Sequence, residues 1–176
     1  MIQNYSRWKV LCIFFDDPNP QEGFTIRWIS KQIQLAPTSV KLHLDALVEE
    51  GFVIKSDGRS YETYWANREN PVFRFYKKID IQMRLQESKV IEYVFEECNA
   101  TVIILFGSAA RGEDDRMSDL DIFVLAKEKI ISLHTYEKQL KRKIQLHFSD
   151  HFQKLPKELR NNILNGIIMK GYLKVF

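Results

Sequence analysis

The sequence predicts an α+β chain of two domains: a helical N-terminal domain closed by a β-hairpin, and a small C-terminal α/β domain. Three observations predict it. Residues 6–51 carry apolar side chains at helical spacing, cut by short polar turns. Asp57-Gly58 separates two β-rich runs, "FVIKS" and "RSYETYW", and both turn residues tolerate positive φ, which is a hairpin signal. From Thr101 the pattern changes to strand and helix in alternation, opened by the apolar run "TVIILF". With 176 residues, 45% of them hydrophobic and 28% charged, the chain can bury a core and is too apolar for a disordered tail. No apolar run approaches the roughly 20 residues of a membrane span, and no basic-then-apolar leader opens the sequence. We therefore expect a cytoplasmic chain with no membrane partner.

Taken in order, "SRWKVLCIFF" is a helix with Trp8, Leu11, Cys12 and Phe15 on its apolar face, stopped by "DDPNP". "GFTI" is a short extended piece. "RWISKQIQL" is a helix with Trp28, Ile29 and Ile33 on one side. "APTSVKLHLDALVEEGFV" is another, with Pro37 early, Gly51 at its exit and Val40, Leu44, Leu47 and Val48 as its buried stripe. Followed by the hairpin, this is the order of a winged helix-turn-helix. Cys12 and Cys98 lack metal-type spacing and are expected as two buried thiols.

Asn70-Pro71 opens a long helical stretch whose apolar stripe runs Val72, Phe75/Tyr76, Ile79 and Met83, lapses at Gln86-Glu87, and resumes at Val90/Ile91, Val94/Phe95 and Cys98. We read a linker helix and then the first helix of the second domain, broken near Leu85–Ser88; a single bent helix is the alternative. The domains are then 1–69, a connecting helical segment 70–98, and 99–176. "DLDIFVLA" and "IQLHFS" are two further strands, "HTYEKQLKRK" the helix between them, and "FQKLPKELRNNILNGIIM" a closing helix. Charge is uneven: residues 1–70 hold eight Lys/Arg against nine Asp/Glu, residues 100–176 thirteen against nine. Any excess positive field lies in the C-terminal domain.

The stretch "LFGSAARGEDDRMSDLDIFV" carries the chemistry. Residues two apart on a strand share a face, so Asp119 and Asp121 stand side by side. Two carboxylates about 6 Å apart repel by roughly 3 kcal/mol at an effective dielectric near 20. A hard cation such as Mg²⁺ would offset that; so would exposure to water at a strand end, and the pair alone fits both. The Gly107-Ser108 turn favours the metal. It follows a strand and opens a helix-prone run, so bare backbone N–H groups and a hydroxyl are offered to a phosphate, with Arg111 one turn further in.

These residues resemble the minimal nucleotidyltransferases of the polymerase-β-like superfamily: Gly107-Ser108, ten residues, then Asp119-x-Asp121, with Arg111-Gly112 and Ser118 between. The resemblance covers roughly the last eighty residues. It implies that Gly107, Ser108, Arg111 and Ser118 hold a nucleoside triphosphate and that Asp119 and Asp121 are catalytic and bind Mg²⁺. It also implies transfer of a nucleoside monophosphate, AMP by family habit, to a protein or small-molecule hydroxyl. Such domains often act as antitoxins on a HEPN-type toxin, so a HEPN-type protein is an expected partner. The chain departs from that pattern on its third strand, where the family carries another acid. If Ile144, Leu146 and Phe148 pack inward, Gln145, His147 and Ser149 face the site, and none is an acid. Gln145 stands where the carboxylate is expected. His147 reads as a polar strand-end histidine, with a base or ligand as the alternative. Glu113, Asp114 and Asp115 read as a solvated loop, and Lys138, Lys141, Arg142 and Lys143 as an exposed helix end with an acidic docking partner as the alternative.

"TSVKLHLDALVEEGFV" similarly resembles the recognition helix of prokaryotic winged-helix regulators. That resemblance implies DNA contacts from Thr38, Ser39 and Lys41, with Arg27, Lys31, Lys55 and Arg59 on phosphates, and a homodimer pooling two surfaces. Leu42, Asp45 and the acidic balance of the segment weigh against strong DNA binding. A different class of function is therefore kept beside the enzyme: a regulator whose transferase fold only binds nucleotide.

Overall fold

The structure is a computed structural model and describes residues 5–18, 20–57 and 61–175. The chain divides into two compact units, Met1–Lys77 and Lys78–Phe176.

In the first unit, α1 (Ser6–Asp16), α2 (Ile26–Ile33) and α3 (Pro37–Glu49) precede the antiparallel strands β1 (Val53–Asp57) and β2 (Glu62–Ala66). Phe24 adds a short third extended piece, bridging Tyr64 through two backbone hydrogen bonds of 2.9 Å. Local chemistry sets the helix limits. The Thr25 hydroxyl accepts from Trp28 N at 3.3 Å to cap α2, Gln34 closes it in the left-handed conformation, and Pro37 takes the first position of α3, where no N–H is needed. Val10, Leu11, Phe14 and Phe15 of α1 meet Ile29 of α2, Val40, Leu44 and Leu47 of α3, and Tyr64 of β2. Trp28 departs from its expected burial: it is 44% exposed and lies flat on Phe24, ring centroids 4.7 Å apart. Val48 is half-buried, as is Cys12, whereas Cys98 is buried. The Asp57-Gly58 turn falls partly outside the described residues.

α4 (Pro71–Glu87) begins at Asn70. Its side-chain oxygen accepts from Val72 N at 2.8 Å and Phe73 N at 3.2 Å, while its amide nitrogen donates to Gly51 O at 3.0 Å. One side chain therefore caps α4 and satisfies a carbonyl at the exit of α3. The expected stripe on α4 is displaced. Val72 and Phe75 are exposed and Tyr76, Ile79 and Met83 half-buried, whereas Phe73, Lys77, Asp80, Ile81 and Leu85 are buried. A periodicity built on apolar residues passes over Asp80, which is buried because Arg84 meets it at 2.6 Å one turn later. α4 ends at Glu87, Lys89 takes a positive φ of 66°, and α5 (Val90–Glu97) starts anew. The bent single helix is not seen.

The second unit is a four-stranded mixed sheet in the order β5-β4-β3-β6. β3 (Val102–Phe106) runs antiparallel to β4 (Leu120–Leu125) and to β6 (Ile167–Gly171), and β4 runs parallel to β5 (Ile144–Ser149). α6 (Gly107–Arg111), α7 (His134–Leu140) and α8 (Lys157–Leu164) complete it. Alternation sorts the side chains into two layers. Ile103, Leu105, Leu120, Ile122, Val124 and Ile144 join α5 in one core. Val102, Ile104, Phe106 and Phe123 join Phe152 and Ile163 in the other.

The closing segment corrects the sequence reading, which extended a helix through Met169. α8 stops at Leu164 and "IIMKG" is a strand. The switch turns on Gly166: a Cβ there would lie 2.6 Å from Leu105 O and 2.7 Å from Ile104 Cγ2, so only glycine lets β6 reach β3. α7 is also shorter than "HTYEKQLKRK", ending where Lys141 adopts φ 54°. Among the described residues no helix is long and apolar enough to cross a membrane.

Asn70→Ala removes a helix cap and leaves the Gly51 carbonyl one donor short. We expect it to lower stability by about 1–2 kcal/mol in urea unfolding followed by circular dichroism, with Asn70→Asp closer to wild type because it keeps the cap.

Candidate functional site

β3 ends at Phe106 and the chain turns at once into α6 through Gly107, whose φ is 75°. Glycine is needed here on two counts. The left-handed conformation disfavours side chains, and a Cβ would collide with Oδ2 of Asp121. The carboxylate of Asp121 thus lies against the bare backbone of the Gly107-Ser108 bend. Register accounts for this, since Phe106 pairs with Asp121 across β3 and β4. Ser108 is half-buried in the first turn of α6, and Ala109 and Ala110 anchor that turn in the core. Asp119 lies just before β4 and is exposed.

On the other side of β4, Gln145 is in register with Asp121, and His147 with Phe123. Ile144, Leu146 and Phe148 pack into the core, which leaves Gln145 and His147 on the face of Asp121. His147 Nε2 lies 3.3 Å from Asp121 Oδ1, and its ring stands edge-on to Phe106 at 5.1 Å between centroids. The β5 position beside Asp121 therefore carries an amide, and the next residue on that face an imidazole.

The loop between α6 and β4 is more ordered than its acids suggest. Asp114 is 3% exposed and pairs with Arg142 Nη1 at 2.9 Å, while Arg142 Nε donates to Ser118 O at 2.6 Å. Neither a solvated Asp114 nor an exposed Arg142 describes the structure: Asp114 is buried and Arg142 half-buried, each held by the other. Asp115 closes an inner turn, its Oδ1 accepting from Met117 N, Ser118 N and Ser118 Oγ at 2.9–3.0 Å. The hydroxyl of Ser118 is thereby directed to Asp115, and the Arg111 guanidinium to Glu113 at 2.7 Å. Of the residues the sequence singled out for nucleotide, the structure brings Gly107 to Asp121, with Ser108 next along the bend. It holds Arg111 and Ser118 in contacts of the loop.

The donor set suits a small hard cation. Among the described residues no three His, Cys, Asp or Glu side chains converge into a closed metal cage. Mg²⁺ rarely uses such a cage: it takes one or two carboxylates and completes its shell with water and substrate phosphate. Asp121, set against a glycine that gives backbone access, fits one such carboxylate; Asp119 precedes the strand and is exposed to solvent, open to a second.

The basic residues of the first unit are partly neutralised. Arg27 and Lys31 are exposed on α2, and Thr38 and Ser39 lie in the first turn of α3. Lys41 meets Asp45 at 3.6 Å and Glu62 at 3.9 Å, and Lys55 meets Glu62 at 2.6 Å. Hydrogen bonds from Lys55 and then Tyr64 hold the Glu62 carboxyl below its ordinary range, so it stays charged. Arg59 lies outside the described residues. Beside these groups is an open cleft of about 990 Å³, lined in part by Arg27, Trp28, Thr38, Lys41, Tyr61 and Glu62. Sequence reasoning placed Trp28 on an apolar face and did not single out Tyr61, which is 64% exposed.

Residues 88–171 match the family model described as Polymerase beta, Nucleotidyltransferase. No curated protein and no solved structure matches the chain. The matched segment runs from two residues before α5 to the end of β6 and contains the bend, both aspartates and the strands of the sheet. Residues 88–171 are thus a nucleotidyltransferase domain of the polymerase β superfamily.

Proposed function

We propose that this domain transfers a nucleoside monophosphate, AMP from ATP, onto a hydroxyl of a protein or small molecule. The observation that carries the reading is the Asp121 carboxylate lying against the Gly107-Ser108 bend. Triphosphate oxygens at the bend and a cation on Asp119 and Asp121 would then be immediate neighbours. In the reaction the acceptor hydroxyl gives up its proton to solvent water as its oxygen bonds to the α-phosphorus, the bond from that phosphorus to the bridging oxygen of the β-phosphate breaks, and pyrophosphate leaves with that oxygen. Bound Mg²⁺ would supply charge neutralisation on the phosphates. The chain's own work is positioning: Gly107 admits the phosphates to the backbone, Ser108 offers a hydroxyl, and the β4 register aims Asp121. A HEPN-type toxin is the acceptor we favour among proteins.

We also infer that the first unit is a winged helix-turn-helix, with α2 and α3 as the two helices and β1–β2 as the wing. The order of elements and the Phe24–Tyr64 bridge support this. Duplex DNA is the proposed partner, through Arg27 and Lys31 on phosphates and Thr38, Ser39 and Lys41 at base edges, with a homodimer to pool two modest surfaces. Control of the chain's own operon would join the two activities. A second reading rests on Gln145, the amide beside Asp121: the domain binds nucleotide without transferring it, and the chain is a nucleotide-sensing regulator.

Incubation of the purified protein with labelled ATP and Mg²⁺, with and without cell lysate, separates the two. Transfer predicts label on an acceptor that falls at least about a hundredfold in Asp119→Ala. Saturable ATP binding with no label transferred selects the regulator. Ser108→Ala should weaken triphosphate binding by about 1 kcal/mol in calorimetry and leave the melting temperature unchanged; unaltered affinity would remove Ser108 from the site. In gel-shift titrations Lys41→Glu should abolish a DNA complex, and a surviving complex would move the contact off α3.

A further inference from the structure

The two oxygens of Asp121 face different neighbours. Oδ2 lies against Gly107, and Oδ1 lies 3.3 Å from Nε2 of His147. A carboxylate only accepts hydrogen bonds, so the ring nitrogen facing it carries the hydrogen and donates. The imidazole is itself held. Strand register sets it beside Phe123, and its ring makes a T-shaped contact with Phe106, the residue from which the chain bends into Gly107. The end of β3 therefore shapes the phosphate bend and steadies the histidine that touches Asp121.

We propose that His147 is a positioning residue: it occupies Oδ1 of Asp121 and so presents Oδ2, alone and at a fixed angle, to the Gly107-Ser108 bend. The inference rests on the reading of Asp119 and Asp121 as metal carboxylates. The terminal torsion of an aspartate is broad and roughly two-fold, so an untethered carboxylate exchanges its oxygens and samples one-oxygen and two-oxygen ligation. A donor on one oxygen removes that freedom before the metal arrives. Partners that orient a ligating group in this way change metal affinity by about 10–100-fold when removed. His147 thus acts through Asp121 and not on the substrate, and this face of β5 contributes orientation where an acid would have contributed a ligand.

Two substitutions separate the donor from the ring. His147→Phe keeps a flat ring against Phe106 and loses the donor; His147→Gln loses the ring and keeps an N–H. The probe is Mn²⁺ with ATP, measured by calorimetry on the full chain, with pulsed electron paramagnetic resonance on the bound Mn²⁺ and thermal melting as a fold control. We expect His147→Phe to weaken metal-dependent nucleotide binding by about 10–100-fold with its melting temperature retained, His147→Gln to stay near wild type, and wild-type Mn²⁺ to show no directly bound nitrogen. Equal affinity in all three proteins overturns the proposal. So does equal weakening in both variants, which would assign the effect to the ring. A directly coordinated nitrogen in the wild type also overturns it, because His147 would then be a ligand. In each of these cases the wild type still takes up Mn²⁺ and ATP, and the reading of the two aspartates stands. A wild type that takes up neither removes that reading together with the inference.

Discussion

β4 has β3 on one side, antiparallel, and β5 on the other, parallel, and its register with both is held by side chains that alternate between two apolar layers. Leu120, Ile122 and Val124 fill one layer and Phe123 the other. A slip of a single residue would exchange those faces, burying Asp121 among aliphatic groups and exposing Ile122, so the hydrophobic core forbids it. The same register sets Phe106 opposite Asp121 and Gln145 beside it. The chemistry at this end of the sheet follows from packing several residues away: the core chooses the register, and the register chooses which groups meet the Gly107-Ser108 bend.

In the first unit charge is spent internally. Lys41 and Lys55 both approach Glu62, and Asp45 shares Lys41. A duplex meeting this surface would have to compete with those carboxylates, which reduces the counterion release that drives non-specific binding. Exposed Trp28 and Tyr61 beside the cleft supply apolar contact instead.

Much of the frame was legible in the sequence because its signals are local. Helical spacing in "SRWKVLCIFF", Pro37 and Gly51 at the ends of α3, and Asn70-Pro71 opening α4 each act within a turn or two of the residues that carry them. The parity of β5 was legible for the same reason. What escaped depends on distant partners. Asp80 and Asp114 look like surface acids until Arg84 and Arg142 are placed against them. β6 looks like the tail of a helix until Gly166 is set against Leu105. The contact between His147 and Asp121 joins residues 26 positions apart on neighbouring strands, and no spacing rule reaches across that gap.

The ion pair of Asp114 with Arg142 gives the motif a mechanical meaning. Arg142 grips the connecting loop at two points, the Asp114 carboxylate and the Ser118 carbonyl, and Asp115 closes the turn within that grip. The ten residues separating Ser108 from Asp119 are accordingly a measured length of chain, clamped from the β5 side, with Met117 as its free-standing apex at 87% exposure. An added or deleted residue would not be absorbed as slack: it would pull Asp119 along the strand axis or tear the clamp from its seat. The spacing that makes this motif recognisable is, in this chain, the span of a buckle.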